Sequence, residues 1–220
     1  MEDRILGLHH ITAIAGNAKR TLEFYTKILG LRLVKKTVNF DDPGTYHFYF
    51  GDERGTPGSI LTFFPWEGIR QGNIGTGMAT EIGYSVPIGS MEFWADRFTQ
   101  YHVKHDAIEE KFGEKYLSFR DPDGLKIKLI VPSNSDTRKP WETNEVNVTV
   151  AAKGFHSITL MLKNVTPTAK ILTDILGYKL LKQEGINYRF ATDAIDNAAI
   201  IDIIEAPSVV HGVVAAGTNH

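Results

Sequence analysis

The sequence contains no cysteine. Disulfides, thiolate metal sites and a cysteine nucleophile are excluded together. It also lacks an excess of either charge: 24 Lys and Arg stand against 26 Asp and Glu, for a net charge of −2. Such a balance gives no basis for a nucleic-acid partner or an anionic membrane surface. No apolar run approaches the ~20 residues of a membrane-spanning helix. The opening Met1-Glu2-Asp3-Arg4 is charged and has no apolar signal core behind it. The expectation is a soluble, cytoplasmic protein. Two familiar motifs are missing as well. "GTGMATEIG" near Gly75 has spaced glycines but no strand-turn-helix context for phosphate, and no serine sits in a nucleophile elbow.

What the chain does have is a repeat. Its 220 residues, 42% of them apolar, suffice for a substantial core. Leu8–Lys36, "LHHITAIAGNAKRTLEFYTKILGLRLVKK", aligns without a gap on Phe155–Gln183, "FHSITLMLKNVTPTAKILTDILGYKLLKQ", at an offset of 147. Eleven of the 29 positions are identical, among them His9/His156, Thr12/Thr159, Asn17/Asn164 and Gly30/Gly177, which is too many for chance. The unit opens on a strand, Ile11–Ala15. Asn17 is a helix-capping residue, Leu22, Tyr25, Ile28 and Leu29 follow at helical spacing, and Gly30 suits the left-handed end of a helix. Leu31–Asn39, Tyr46–Phe50 and Ser59–Phe64 read as further strands. A weaker copy lies between the two: strand Thr80–Val86, helix Ser90–Tyr101 with Ser90 as its cap, and strands Lys115–Phe119 and Leu125–Val131 flanking the turn "RDPDGL". In the last copy the strands are Phe155–Leu162, Tyr178–Glu184, Tyr188–Thr192 and Ala199–Glu205.

The predicted fold is therefore α+β, with tandem βαβββ modules whose curled mixed sheets form cups and whose helices lie outside. Residues 1–132 hold modules one and two, 133–153 a polar linker, and 154–207 module three. Residues 208–220 open a fourth module, since "AAGTNH" stands where "ILGLHH" precedes the first strand; the expectation is of a chain truncated at that point.

Tandem modules that open on "HHIT" resemble the vicinal oxygen chelate superfamily of glyoxalases, extradiol dioxygenases and bleomycin-resistance proteins. "GLHHITAIAG", "LGLRLVKKTVNFDDPGTYHFYFGD", "GTPGSILTFFPW", "KFGEKYLSFRDPDGL" and "GFHSITL" narrow this to a resemblance with bacterial ring-cleaving dioxygenases of the hydroquinone type. The resemblance implies Fe(II), or Mn(II), held by two histidines and a carboxylate, with a small aromatic diol and dioxygen as reactants. It places a metal ligand on His10, and groups lining the site on His9, Thr12 and His220. The late glutamate and the second ligand histidine of that pattern have no counterpart in this chain.

The residues alone are less specific. A single histidine on an apolar strand is more often a hydrogen-bonded core residue than a ligand, because a metal site needs convergent donors. Alternation puts His10 and Thr12 on one face and His9 on the other, so both histidines share a site only if the strand entry is bent. By the repeat, Glu81 and Ser157 stand where His10 does, and Lys128 and Asp202 where the late glutamate would be; Glu81 and Asp202 read as surface or turn-adjacent carboxylates. His47 in "TYHFYF" alternates with Tyr46 and Phe48, which makes it a candidate to face the cup. Two other functions share the fold: a non-catalytic ligand-binding module, and a glyoxalase-like isomerase or lyase, which Lys128 at the late-strand position disfavours. A half-built cup would expose sheet and favour a homo-oligomer.

Overall fold

The computed structural model describes residues 5–220. The charged opening Met1–Arg4, read above as lacking a signal core, lies outside the described residues. No described helix is long and apolar enough to cross a membrane.

The first module is β1 (His10–Ala15), α1 (Ala18–Glu23), β2 (Arg32–Val38), β3 (Tyr46–Gly51) and β4 (Ile60–Pro65). Asn17 caps α1 as expected: its side chain accepts from the Arg20 amide. The helix widens into a π turn at Phe24–Ile28, where the Leu29 amide reaches back five residues to the Phe24 carbonyl. Gly30, at φ 69°, then turns the chain into β2. The second module is β5 (Met78–Ser85), α2 (Met91–Gln100), β6 (His105–Lys111), β7 (Glu114–Arg120) and β8 (Lys126–Ile130). Ser90 stands before α2, but its hydroxyl bonds the Pro87 carbonyl and caps nothing. The third is β9 (Gly154–Leu162), α3 (Thr166–Lys170), a π turn at Ile171–Ile175, β10 (Lys179–Glu184), β11 (Asn187–Ala191) and β12 (Ile200–Glu205). A short β13 (Thr218–Asn219) follows.

The strands form two curled sheets. One has the order β13-β1-β4-β3-β2, the other β10-β11-β12-β9-β5-β8-β7-β6. Within each module the opening strand pairs in parallel with the last one, as in β1–β4, β5–β8 and β9–β12. Between modules the opening strands meet antiparallel: β5 with β9, and β1 with β13. Strand pairing thus joins module two to module three, and splits the 1–132 segment between the sheets. A core still binds that segment. Ile11, Ala13, Phe48, Phe50, Leu61 and Phe63 from the first sheet share one buried cluster with Ile82, Tyr84, Leu117 and Phe119 from the second, and with Tyr25 and Trp94 from the helices. Module three has a small core of its own: Val165, Leu172, Tyr178, Phe190 and Ile203. Residues 133–153 carry no strand or helix but are not loose. Val146 is fully buried, and Arg138 donates to the Gly58 and Phe155 carbonyls, tying modules one and three together.

Candidate functional site

Period-two alternation decides what the first sheet offers. Ile11, Ala13 and Ala15 point into the core, so His10 and Thr12 fall on the open face. The parallel register sets Thr12 beside Thr62, whose hydroxyl donates to the Thr12 hydroxyl at 2.9 Å. On β3 the buried Phe48 and Phe50 alternate with half-buried His47 and Tyr49. The Tyr49 hydroxyl lies 3.0 Å from His47 Nδ1, and the His47 ring packs 4.2 Å from Phe64. Burial, then the charges of Lys35 and His10, hold the His47 pKa below its ordinary value, so the ring is neutral near pH 7. Phe64 also meets Trp66 at 5.6 Å and, edge-on, His220 at 6.1 Å. His220 reaches this face because its amide donates to the Thr12 carbonyl, extending the β13 pairing. His47 was therefore correctly placed on the cup face by its alternation with Phe48.

His9 and His10 do come together. Their Nδ1 atoms are 3.1 Å apart and the rings meet edge-to-face at 87°. The strand begins at His10, so His9 lies outside its alternation and needs no bulge. Both side chains are exposed. The structure thus gathers His9, His10, Thr12 and His220 around one open face, with His47, Tyr49 and Phe64 forming its aromatic side.

The concave face of the eight-stranded sheet is built differently. Glu81, 5% exposed, pairs with both Lys126 and Lys128; burial opposes its ionisation, but the two ammonium groups outweigh it and lower its pKa. Asp202, 7% exposed, takes Arg189 through both carboxylate oxygens at 2.8 Å. The expectation of surface or turn-adjacent carboxylates at these two positions is thus wrong. They are interior strand residues, because cations from neighbouring strands compensate them. Glu114 pairs with Arg189 and His156 and accepts from the Ser133 amide. Burial again opposes the charge, but the His156 bond, its charge and the Ser133 amide win, holding the carboxyl far below the usual range. His156 is buried between Ser157 Oγ at 3.1 Å and Glu114.

Protein comparisons agree with this architecture. A family model described as "Glyoxalase/Bleomycin resistance protein/Dioxygenase superfamily" matches residues 7–129. The chain belongs to this superfamily. It is 45% identical over 222 aligned residues to the Bacillus subtilis protein named "Putative ring-cleaving dioxygenase MhqO", covering 100% of this chain and 69% of that one. It is 34% identical to the chlorohydroquinone/hydroquinone 1,2-dioxygenase of Sphingobium indicum, covering 92% and 64%. A crystal structure of a B. subtilis protein described as a "putative dioxygenase" superposes with a TM-score of 0.92 at 44% identity, over 99% of this chain and 69% of that one. Ring-cleaving dioxygenase is the function these relatives carry by name.

Superfamily dioxygenases typically use a metal, so the donor set can be tested. The first sheet offers imidazoles at His10 and His220, and no salt bridge brings a carboxylate to either among the described residues. No group of three or more His, Asp or Glu able to hold a metal occurs among the described residues. The donors present fall short of a two-histidine, one-carboxylate centre. In the second sheet the repeat equivalents of a ligand set are already consumed as the Glu81–Lys128 and Asp202–Arg189 ion pairs.

Proposed function

We propose that the protein is a ring-cleaving dioxygenase whose substrate is a small hydroquinone or catechol and whose oxidant is dioxygen, with His10 contributing to an Fe(II) or Mn(II) centre. The observation that carries this reading is the "HHIT" strand: it sets His10 and Thr12 on an open face walled by Tyr49, Phe64 and Trp66, in a chain 45% identical to MhqO. An aromatic diol suits that face. Its ring has aromatic partners on one side, and its hydroxyls have hydrogen-bonding groups in His9 and Thr12. Neutral His47, held by Tyr49, can accept or donate without a charge penalty. The described residues alone do not complete a ferrous site, and His220 lines the face beside His10 without making up the third donor.

Oxygen uptake tests the reading. The protein is given Fe(II) or Mn(II) anaerobically, then hydroquinone, methyl- and chlorohydroquinones or catechol, then air. We expect one dioxygen consumed per ring opened only where the donors that the described residues lack are supplied, and then a fall of about 100-fold or more in His10→Ala, on the order of what losing a central site group produces. Tight binding of the diols with no oxygen uptake would favour the non-catalytic ligand-binding alternative. Undiminished uptake in His10→Ala would overturn the role of His10.

A further inference from the structure

Residues directly opposed on paired strands share one face of a sheet. In the five-stranded sheet the register sets Thr12 of β1 against Thr62 of β4, Thr62 against Tyr49 of β3, and Tyr49 against Lys35 of β2. These four form one polar row across the open face, with Thr62 buried beneath it. Thr12 and Tyr49 stand two strands apart, about 10 Å between backbones at the usual strand spacing. At the near end, the Thr12 hydroxyl accepts from Thr62 and keeps its own proton to give.

The far end is built around Tyr49. Its hydroxyl lies 3.0 Å from His47 Nδ1, the two rings pack with centroids 4.2 Å apart, and the Lys35 ammonium sits over the phenol ring at 5.3 Å. His47 is wedged in turn against Phe64 at 4.2 Å, and its Nε2 is buried without a hydrogen-bond partner among the described residues. The imidazole therefore has one polar contact, the Tyr49 hydroxyl, and that contact fixes where the phenol oxygen stands. Whichever of the two donates, the phenol oxygen keeps at least one lone pair, and no other described residue takes it. The charges of Lys35 and His10 both act on His47, so the pair lies within electrostatic reach of His10.

A single ring laid across this row meets β1 at one edge and Tyr49 at the other. Hydroxyls on adjacent ring carbons would both face one end of the row. Hydroxyls at opposite corners of the ring would face both ends. We propose, resting on the reading above that places a diol on this face, that Tyr49 is a specificity-determining residue: it takes the far hydroxyl of a 1,4-diol while the near hydroxyl meets Thr12, and His47 is its positioning residue. A simple phenol or a 1,2-diol leaves the Tyr49 oxygen without a partner.

Anaerobic calorimetry on the chain as isolated tests this with hydroquinone, catechol and phenol. We expect hydroquinone to bind about fivefold or more tighter than the other two, the order of one added hydrogen bond. Tyr49→Phe deletes only the hydroxyl. It should bring hydroquinone down to the level of phenol and leave phenol unchanged, whereas a merely structural loss would weaken all three ligands together. His47→Gln, which can still hold the phenol oxygen, should keep the preference, and His47→Leu should lose it. Hydroquinone no tighter than phenol, catechol tighter than hydroquinone, equal weakening of all three in Tyr49→Phe, or a preference that survives His47→Leu would each overturn the proposal. No oxygen is present, so the result does not depend on turnover. Discrimination through Tyr49 in a protein that takes up no oxygen would sink the ring-cleaving reading alone, and oxygen uptake with no such discrimination would sink the role of Tyr49 alone.

Discussion

Asp121 shows what one buried carboxyl does to this fold. It is 6% exposed in the turn before β8. Its Oδ1 accepts from the Asp123 and Leu125 amides, and its Oδ2 from the Tyr25 hydroxyl at 3.0 Å. It therefore clamps the second module's turn to the first module's helix. Burial pushes its pKa from 3.8 up to about 6, against the pull of those hydrogen bonds. A folded pKa above the unfolded one means that its stabilisation is full below pH 3.8 and is lost as pH rises through about 6. Asp121→Asn keeps the Oδ1 acceptor and presents an amide to Tyr25. The stability of the variant relative to the parent should therefore rise between pH 4 and 7, by at most about 3 kcal/mol for a shift of roughly two units. Thermal unfolding of both proteins across that range checks it, and a gap that stays flat with pH would refute it. The sequence marks the turn by Pro122 and Gly124. It does not mark the clamp, because Tyr25 is 96 positions away.

Individual elements show where sequence reading works and where it stops. The His10–Thr12 face was legible because strand alternation is a local rule. Strand β6, "HDAIEEK", was not foreseen. Nearly all of its residues are exposed, so it has no buried stripe, and pairing with β7 alone defines it. The two π turns also escaped, since their apolar spacing reads as ordinary helix; they recur at equivalent places, at Phe24–Ile28 and Ile171–Ile175. The ion pairs of the second cup could not be read either, because the partners are far apart in sequence: Lys126 is 45 positions from Glu81, and Arg189 is 75 from Glu114. The repeat itself yields a differential prediction. Asn17 caps α1 directly and its amide also bonds both oxygens of Glu67. The equivalent Asn164 stands one residue before the α3 cap position, Val165, and accepts from the Thr166 amide in an exposed turn. Asn17→Ala should therefore destabilise by about 1 kcal/mol, and Asn164→Ala by a few tenths. Urea melts of the two variants measure the difference, and equal losses would mean that the two helix starts are equivalent after all.

At the scale of the whole molecule, stability is unevenly shared. Modules one and two are welded by a common core that reaches through both sheets and both helices. Module three adds only Phe155, Ile158 and Ala198 to that core and otherwise relies on five buried side chains of its own, on the β5–β9 pairing, and on cross-module polar contacts. Those contacts are Glu114 with Arg189 and His156, Lys111 with Asn187 at 2.6 Å, and Lys182 with the Phe112 carbonyl. Every residue of β10 is exposed. Sub-global opening should begin where buried apolar contact is sparse. Amides of β10, β11 and β12 should exchange with deuterium well before those of β1, β3 and β4. Glu114 is the pivot, for its carboxylate joins β7 to β9 and β11. Glu114→Gln leaves His156 without its carboxylate and Arg189 with Asp202 alone, and should cost about 3 kcal/mol, with faster exchange confined to module three. The depressed pKa of Glu114 gives the same order under acid. Its stabilisation is present above pH 4.5 and is lost as pH falls toward its folded value, so acid should also open module three first. Hydrogen-exchange mass spectrometry of both proteins decides the matter: uniform protection across the two sheets, or acceleration spread evenly by Glu114→Gln, would show that the molecule opens as one unit.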